Sequence, residues 1–568
     1  MDNESETKKE IETNQETNIA NTTLQNENKT IIKGTSIVGI LTLVSRIAGF
    51  FRDLVFASLF GSGMYADAFF VAFKIPNMLR SFVAEGALTS AFVPLFSEEV
   101  KKGEKETRKA FREVGGFLLL VTSLLSVLGI IFAKEITLFF APGFENVSGK
   151  LALASNLTKI MFPYIIFISF VSLANGALSV FKIFGVSATS QILMNIIMII
   201  FAFLGFFFTP YKASHLMAIS VIVSGVFMCL LQVRYLRRVK LTLLPSFRIF
   251  NKLILNLIKL MLPAIVGAGV YQLTIFINTV IASMLSEGSV SWLFYADRFS
   301  QIPIGIFTIS LASVLLPSLS KFVVNGQKKE FHDSLKNALS YTSFFIVPVS
   351  FYIFLIAEPC IQVFLQRKAF DSVSTLNTAS ALKAYAIGIW GISSYTILVR
   401  AFLAKKDTKT PTVLSMVMLI LHFHISLLMC GKLEFSNSIS AKMLYYYQEF
   451  LYNYFPFIDL GHIGLALSAS ISSSMGFLIL FFIFKLKDKA VEFDGYFSCT
   501  IKSFLASIGM YYFTSLAFSL NTSVLLKLIL SVVFAFISYF VLSHLLRIKE
   551  IREAAKLLVK IKNKVLRK

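Results

Sequence analysis

Nine charged residues lie within apolar stretches of this 568-residue chain, and five of them are cations that could bind an anion. Seven of them cluster between positions 46 and 85, and two follow far downstream. They are Arg46, Arg52, Asp53, Asp67, Lys74, Arg80, Glu85, Asp297 and Arg298. A charge in the hydrocarbon region of a bilayer costs at least about 2.5 kcal/mol, so such residues usually face a wet cavity or a partner. Guanidinium groups match phosphate oxygens in bidentate fashion, so the cluster predicts an anionic cargo.

The cations of this cluster outnumber the carboxylates beside them. We therefore predict that they contact the cargo rather than only pair with each other; they are Arg46, Arg52, Lys74, Arg80 and Arg298. Asp53 and Asp67 are as well suited to ion pairs that hold helices together as to a functional role, and both interpretations stay open. Asp297 is predicted to support Arg298 in a cavity shared with the first cluster. Glu85, beside Gly86, is a candidate helix cap, a partner of Arg80 or a coupling residue.

The elements that position these residues are predicted to be membrane-spanning helices. The chain is 56% hydrophobic with a mean hydropathy of +0.72, which is typical of proteins that cross a membrane many times. A spanning helix needs about 20 mostly apolar residues. Fourteen segments qualify: 35–60, 64–98, 113–133, 153–181, 188–208, 215–236, 254–286, 290–320, 335–357, 377–404, 412–430, 462–485, 498–518 and 524–546.

Loop charge predicts the orientation. The loops on the side of the N-terminus carry 22 Lys and Arg residues, and the loops on the other side carry 7. Lys and Arg concentrate in cytoplasmic loops, so both termini are predicted to be cytoplasmic. Residues 1–33 are polar and are predicted to be a disordered tail, whereas 547–568 are basic and are predicted to lie against anionic lipid.

A weak internal repeat relates the two halves of the chain. Tyr65-Ala66-Asp67 recurs as Tyr295-Ala296-Asp297, and three other short matches follow the same order. Six predicted spans separate the equivalent helices, so the halves share one orientation. We predict an N-lobe over 34–240, a C-lobe over 241–490 with a long outward loop at 431–461, and two extra helices over 491–546. Transporters place their cargo site between such halves.

Other function classes find little support in the sequence. There is no phosphate-binding loop, no zinc-protease or serine-hydrolase motif and no cysteine pair with metal-ligand spacing, so we predict no enzyme, no cofactor and no metal. The net charge of +22 lies in short loops and so does not indicate nucleic-acid binding. Three lone histidines, including His422, leave proton coupling open, and Asn278 could bind a cation or bond across helices.

Several runs of this sequence form recognisable motifs. They are Ser45–Asp53 (SRIAGFFRD), Ala66–Arg80 (ADAFFVAFKIPNMLR), Ala84–Ala87 (AEGA), Ala91–Pro94 (AFVP), Ala141–Phe144 (APGF), Tyr295–Arg298 (YADR), Leu316–Ser320 (LPSLS) and Lys409–Pro411 (KTP). Together these runs resemble the MurJ (MviN) family of lipid II flippases. The resemblance implies the multidrug/oligosaccharidyl-lipid/polysaccharide exporter fold, with two six-helix lobes around a cationic cavity. It also implies that the last two helices form a groove for the lipid tail.

The implied function is transport of lipid II, a disaccharide-pentapeptide on undecaprenyl diphosphate, across a bacterial inner membrane for peptidoglycan synthesis. In the family, the arginines that match Arg46, Arg52 and Arg298 line the cavity. Membrane lipids are expected partners, and cell-wall synthases are candidate partners. Three alternatives stay open: a flippase for another lipid-linked oligosaccharide of the O-antigen type, a cell-wall scaffold that transports nothing, and a membrane glycosyltransferase. A drug exporter fits poorly because cationic cargo would need acidic residues.

Overall fold

The computed structural model describes residues 39–81, 87–242, 244–248, 251–488 and 493–552, and the regular elements of this part of the chain are all helices. The first half contains α1 (39–60), α2 (Met64–Arg80), α3 (Ala87–Lys101), α4 (Glu104–Ile131), α5 (Ala133–Phe140), α6 (Lys150–Met161), α7 (Tyr164–Val180), α8 (Gly185–Gly205) and α9 (Pro210–Arg238). The second half contains α10 (Lys252–Ser283), α11 (Ser289–Pro303), α12 (Ile309–Val324), α13 (Lys328–Leu365), α14 (Ser372–Ala404), α15 (Lys409–Met429), α16 (Ile439–Tyr454), α17 (His462–Lys487), α18 (Asp494–Ser519) and α19 (Val524–Leu545). A 3-10 helix covers Pro142–Asn146, and a π-helical turn covers Ile304–Thr308.

The all-helical membrane architecture predicted from the sequence is confirmed. Among the described residues, nine helical segments are long and apolar enough to cross a membrane, or ten if the bent pair α6–α7 is one span. Each of the fourteen predicted segments falls on a helix or on two consecutive helices. The total of fourteen spans stays a prediction.

Proline and polar caps explain where the helices break and begin. Pro163 separates α6 from α7, whose axes differ by 41°, because proline cannot donate a backbone hydrogen bond within a helix. Asn251, Asp371 and Ser438 each accept a hydrogen bond from the backbone N–H three residues later and so cap α10, α14 and α16.

The helix ends define two sides of the molecule. We call the end where α1 begins the near side and the end where α1 finishes the far side. The far side carries the α1–α2 turn, which contacts 366–374 of the second half. On the near side, Lys487 donates to Asp407 at 2.7 Å and ties the start of α15 to the end of α17. This hydrogen bond lowers the pKa of Asp407 to about 2.

The segment 431–461 differs from its sequence-based description as a loop. Half of it forms α16, which is capped by Ser438 and packs over the end of α15. Gln448 of α16 is buried and donates to the backbone carbonyl oxygens of Leu427 and Gly431 at 2.9 and 2.8 Å. The helix forms because its apolar residues recur at helical spacing. The Tyr- and Phe-rich composition of the segment does not by itself indicate a helix.

The last two helices are held against α13. Tyr539 of α19 donates to the backbone oxygen of Phe344 at 2.6 Å, and Thr500 of α18 donates to Ser343 at 2.9 Å. Their other faces expose large apolar residues, such as Leu505 on α18 and Phe536 on α19. In a membrane protein such faces contact lipid, because lipid is as apolar as the side chains.

Candidate functional site

Asp53 connects two of the predicted arginines across the two halves of the chain. Arg52 donates to one oxygen of Asp53 through Nε at 3.0 Å and through Nη2 at 2.7 Å. The other oxygen of Asp53 lies 3.4 Å from Nε of Arg298 on α11. The carboxylate is largely buried, whereas 39% of the Arg298 side chain is exposed. The guanidinium of Arg298 also lies 4.7 Å from the ring centre of Phe294. Thus α1 and α11 meet at an Arg52–Asp53–Arg298 triad.

The geometry of Arg52 is fixed by a residue that the sequence analysis did not single out. Nη1 of Arg52 donates to the side-chain oxygen of Asn195 on α8 at 3.1 Å, and Asn195 in turn donates to the backbone oxygen of Ser45 at 3.1 Å. Asn195 is largely buried. A planar guanidinium can serve the carboxylate and the amide at once, which a lysine ammonium in its place would not.

Arg46 lies two turns before the triad on α1 and is exposed. Its guanidinium contacts Gly305 in the π-helical turn between α11 and α12: a Cβ atom added to Gly305 would lie 1.7 Å from Nη1 of Arg46. Turns of this kind are rare and often occur at functional sites. Arg46 of the first half therefore contacts the second half, just as Arg298 of the second half contacts the first.

The structure places Lys74 and Arg80 on α2 and Asp297 on α11. Lys74 on α2 donates to the hydroxyl of Thr279 on α10 at 3.1 Å. Asp297 accepts from Gln301 one turn later on α11 and lies within electrostatic range of Lys74 and Arg298. Arg80 ends α2 and is partly buried. Glu85 lies outside the described residues.

Asp67 has a different environment from Asp53. It is almost fully buried and accepts from Nζ of Lys150 at 2.8 Å. It also accepts from the backbone N–H groups of Gly288 and Ser291, both at 2.9 Å, and from the Ser291 hydroxyl. Asp67 therefore caps the N-terminus of α11 from the other half of the chain, where a negative charge is favoured by the helix dipole. Lys150 on α6 is therefore the ion-pair partner of Asp67.

Other contacts join the halves on the far side. The hydroxyls of Ser62 and Ser374 are 2.6 Å apart, and Nε1 of Trp292 donates to Ser62 at 2.7 Å. Gly61 has a φ of 64°, and a Cβ atom there would lie 2.2 Å from the backbone oxygen of Ala369. Only glycine fits both this conformation and this approach. These contacts hold the far side closed.

His422 and Asn278 form a separate buried network. His422 Nε2 lies 2.8 Å from the side-chain oxygen of Asn278, and its Nδ1 lies 3.3 and 3.4 Å from the hydroxyls of Ser468 and Ser472. These residues link α10, α15 and α17. Among the described residues, no group of three or more His, Cys, Asp or Glu side chains could hold a metal ion.

The charges at the α1–α11 interface favour an anion. Arg46, Arg52, Lys74 and Arg298 outnumber the carboxylates Asp53 and Asp297 by four to two, while Asp67 is neutralised by Lys150. Arg46 is exposed and 39% of the Arg298 side chain is exposed, so both can contact a ligand. This arrangement can neutralise an anionic group between the halves, but it offers no pair of groups for general acid–base catalysis.

Comparison with known proteins identifies the family. The family model described as lipid II flippase MurJ matches residues 56–544. The chain belongs to the MurJ family. The probable lipid II flippase MurJ of Buchnera aphidicola subsp. Schizaphis graminum is 32% identical over 93% of this chain and 99% of its own length. The lipid II flippase MurJ of Burkholderia cenocepacia is 34% identical over 78% of this chain and 81% of its own length.

Solved structures agree with the MurJ assignment. A lipid II flippase MurJ in an inward closed conformation has a TM-score of 0.72 and 26% sequence identity, and the match covers 89% of this chain and 98% of that one. An inward-facing multidrug resistance MATE family transporter of the MOP superfamily has a TM-score of 0.60 at 13% identity, over 79% of this chain and 94% of that one. The second likeness shows the shared fold. As a member of the MurJ family, the chain is a transporter and not an enzyme.

Proposed function

We propose that this chain is a lipid II flippase. It moves the undecaprenyl-diphosphate-linked disaccharide-pentapeptide from the cytoplasmic to the outer leaflet by alternating access. The observation that carries the proposal is the meeting of Arg46, Arg52 and Arg298 from two halves of a MurJ-family chain. A diphosphate bound there would be neutralised by both halves at once, and this would allow them to close around it.

The lobe boundaries follow from the same proposal. An N-lobe over 34–240 and a C-lobe over 241–490 would rock about the bound head group, and 491–546 would guide the polyprenyl tail in the membrane. The apolar faces of α18 and α19 support this role. The loop charges favour an inner-membrane protein with both termini, including the basic tail 547–568, in the cytoplasm. Cell-wall synthases stay predicted partners.

The cationic interface also weighs against the alternatives. A scaffold that transports nothing needs no cations between its halves, and a glycosyltransferase needs a catalytic loop. A flippase for an O-antigen-type glycan would share the diphosphate chemistry, so only the identity of the cargo separates it from the present proposal.

The membrane potential could contribute to the free energy of transport, by about 2.3 kcal/mol for each charge moved through 100 mV.

Depletion of the protein in its own cells tests the cargo. An added enzyme that cleaves lipid II outside the cell would measure the exposed pool, and extracted lipid would measure the total. We expect the exposed pool to vanish and the protected pool to grow within about one generation. An unchanged exposed pool, with a different lipid-linked glycan accumulating inside, would overturn the lipid II assignment.

The cationic residues are tested by complementation of the depleted cells. We expect Arg46→Ala, Arg52→Ala and Arg298→Ala each to abolish complementation while the protein still inserts, because a buried phosphate charge left unpaired costs several kcal/mol. Arg367→Ala is the matched control, since Arg367 is exposed on the far side and donates only to the backbone oxygen of Val363. Full complementation by all three variants would contradict the cationic site, even if depletion confirms the cargo.

A further inference from the structure

The helix α16 on the far side has three distinct faces. The first is packed against the protein through Ala441, Gln448 and Leu451, all of which are buried. This face holds the helix over the end of α15, where Gln448 binds the free carbonyl groups. The rest of the helix surface carries an apolar face and a polar face.

The second face is an exposed apolar stripe. Its residues recur every three or four positions and therefore lie on one side of the helix. They are Ile439, Met443, Tyr446, Phe450 and Tyr454, with exposed fractions of 80%, 70%, 59%, 53% and 70%. Five large apolar or aromatic residues in a row are more than a water-facing helix usually exposes.

The third face is polar and lies between the other two. At 100° per residue, Lys442, Glu449 and Asn453 fall on one edge of the apolar stripe. A helix lying in the surface of a bilayer has this division, with apolar residues toward the acyl chains and charged residues toward water. Tyr and Trp are also enriched at the membrane interface, and this helix has Tyr446, Tyr447 and Tyr454.

The stripe continues the lipid-facing surface of a membrane-spanning helix. On α15, Val413, Val417 and Ile420 are each at least half exposed and lie on one face. One turn later, His424 Nε2 lies 2.8 Å from the hydroxyl of Tyr447 on α16. The rings of Phe423 and Tyr447 are stacked with centroids 6.1 Å apart. This continuity indicates that the neighbour of the stripe is lipid rather than another protein.

The anchors of α16 place it across the ends of other helices. Just before the helix, Ser436 donates to Glu145 at 2.8 Å, and Asn146 donates to the backbone oxygen of Phe435 at 2.8 Å. These partners belong to the 3-10 helix of the first half, whereas Gln448 binds the end of α15 in the second half. A helix of 16 residues is about 24 Å long, and these anchors to both halves hold α16 over the far side.

We propose that α16 is an interfacial helix whose apolar stripe inserts into the far-side leaflet at the boundary between phospholipid head groups and acyl chains. Its partner is the phospholipid itself. This role does not depend on the identity of the transported cargo. It gives the segment 431–461 a function as a membrane anchor beside the contacts that join the two halves.

Spin-label depth measurements on the full chain in phosphatidylethanolamine/phosphatidylglycerol nanodiscs test this proposal. Single cysteines would replace Met443, Phe450 and, as the matched control, Glu449. The background would have its four cysteines, Cys229, Cys360, Cys430 and Cys499, changed to alanine. We expect labels at 443 and 450 to collide more often with oxygen than with a water-soluble nickel complex, and the label at 449 to show the opposite preference.

The same measurement separates lipid from the other occupants. Labels at 443 and 450 that are as accessible to the nickel complex as the label at 449 would overturn the proposal and leave the stripe as a docking surface for a protein. If the cysteine-free background does not fold, a tryptophan can replace Met443 or Phe450 in a chain whose natural Trp292 and Trp390 are changed to phenylalanine. Quenching of its fluorescence by brominated phospholipid then gives an independent depth. Quenching equal to that of a tryptophan at Glu449 would also overturn the proposal.

Discussion

Asp53 and Asp67 lie 14 residues apart on consecutive helices, yet their environments assign them different roles. An ionised carboxylate has about four acceptor positions. Asp67 receives four hydrogen bonds, from Lys150, two backbone N–H groups and the Ser291 hydroxyl, so it has no capacity left for cargo. Asp53 lies between Arg52 and a partly exposed Arg298. An anion that binds Arg52 or Arg298 would therefore compete with Asp53.

The ion pair of Asp67 and Lys150 is predicted to stabilise the closed far side. Both side chains are about 97% buried or more. Asp67→Asn leaves the Lys150 ammonium buried without a carboxylate, which we expect to cost about 3–5 kcal/mol of stability. Thermal unfolding of the purified protein in nanodiscs measures this effect. The double variant with Lys150→Met should regain part of the loss, because it removes the orphaned charge. Equal stability of Asp67→Asn and the unchanged protein would contradict the prediction.

At this scale the sequence identified charged residues better than their partners. Arg298 and Asp53 were both recognised, but they are 245 positions apart, and sequence spacing alone could not join them. Asn195, Lys150 and Ser291 were missed because amides, hydroxyls and a single lysine are common and acquire meaning only when burial is known. A buried polar group must find a partner, but tertiary packing decides which one.

At the scale of elements, the π-helical turn Ile304–Thr308 is the feature most directly tied to the site. The sequence predicts one span over 290–320, and the structure places a π turn inside it, immediately after Pro303. The turn brings Gly305 against the guanidinium of Arg46. Proline marks a position where a helix kinks or changes its hydrogen bonding, whereas the geometry of that change depends on what packs against it.

Gly305→Ala is predicted to impair transport without unfolding the protein. The added methyl group would displace the Arg46 guanidinium, which is the end of a flexible side chain, so the fold can adapt. We expect at least a tenfold loss of lipid II exposure at unchanged protein level and unfolding temperature, about 1.4 kcal/mol of transition-state free energy. Gly39→Ala on α1 is the control because its added Cβ would meet no atom within 4 Å. Equal loss in both variants, or no loss at Gly305, would show that the contact with Arg46 is unimportant.

At the scale of the whole molecule, the internal repeat predicted that equivalent helices follow in the same order in both halves. It did not predict how far along each helix the matching residues lie. The two Tyr-Ala-Asp matches place Asp67 in the first turn of α2 but Asp297 in the third turn of α11. Asp67 can therefore cap α11 on the far side, while Asp297 lies deeper, near Lys74 and Arg298. The multi-span fold follows from hydropathy alone. The closure between the halves does not, because it depends on single contacts between distant residues.

Alternating access requires the far-side contacts to break during each transport cycle, and Ser62 and Ser374 offer a direct test. Their hydroxyl oxygens are 2.6 Å apart across the two halves. We expect a disulfide formed in the S62C/S374C variant to lock the far side closed and abolish lipid II exposure, with activity restored by a reductant. Each single cysteine variant, treated with the same oxidant, controls for oxidation at the four natural cysteines. Those cysteines lie elsewhere in the described fold and are free thiols.

Because a rocking mechanism opens the far side to release the head group, full activity of the cross-linked protein would exclude that mechanism while leaving the cationic site intact. Loss of activity that a reductant reverses would instead identify separation of Ser62 from Ser374 as a step that every transported molecule requires.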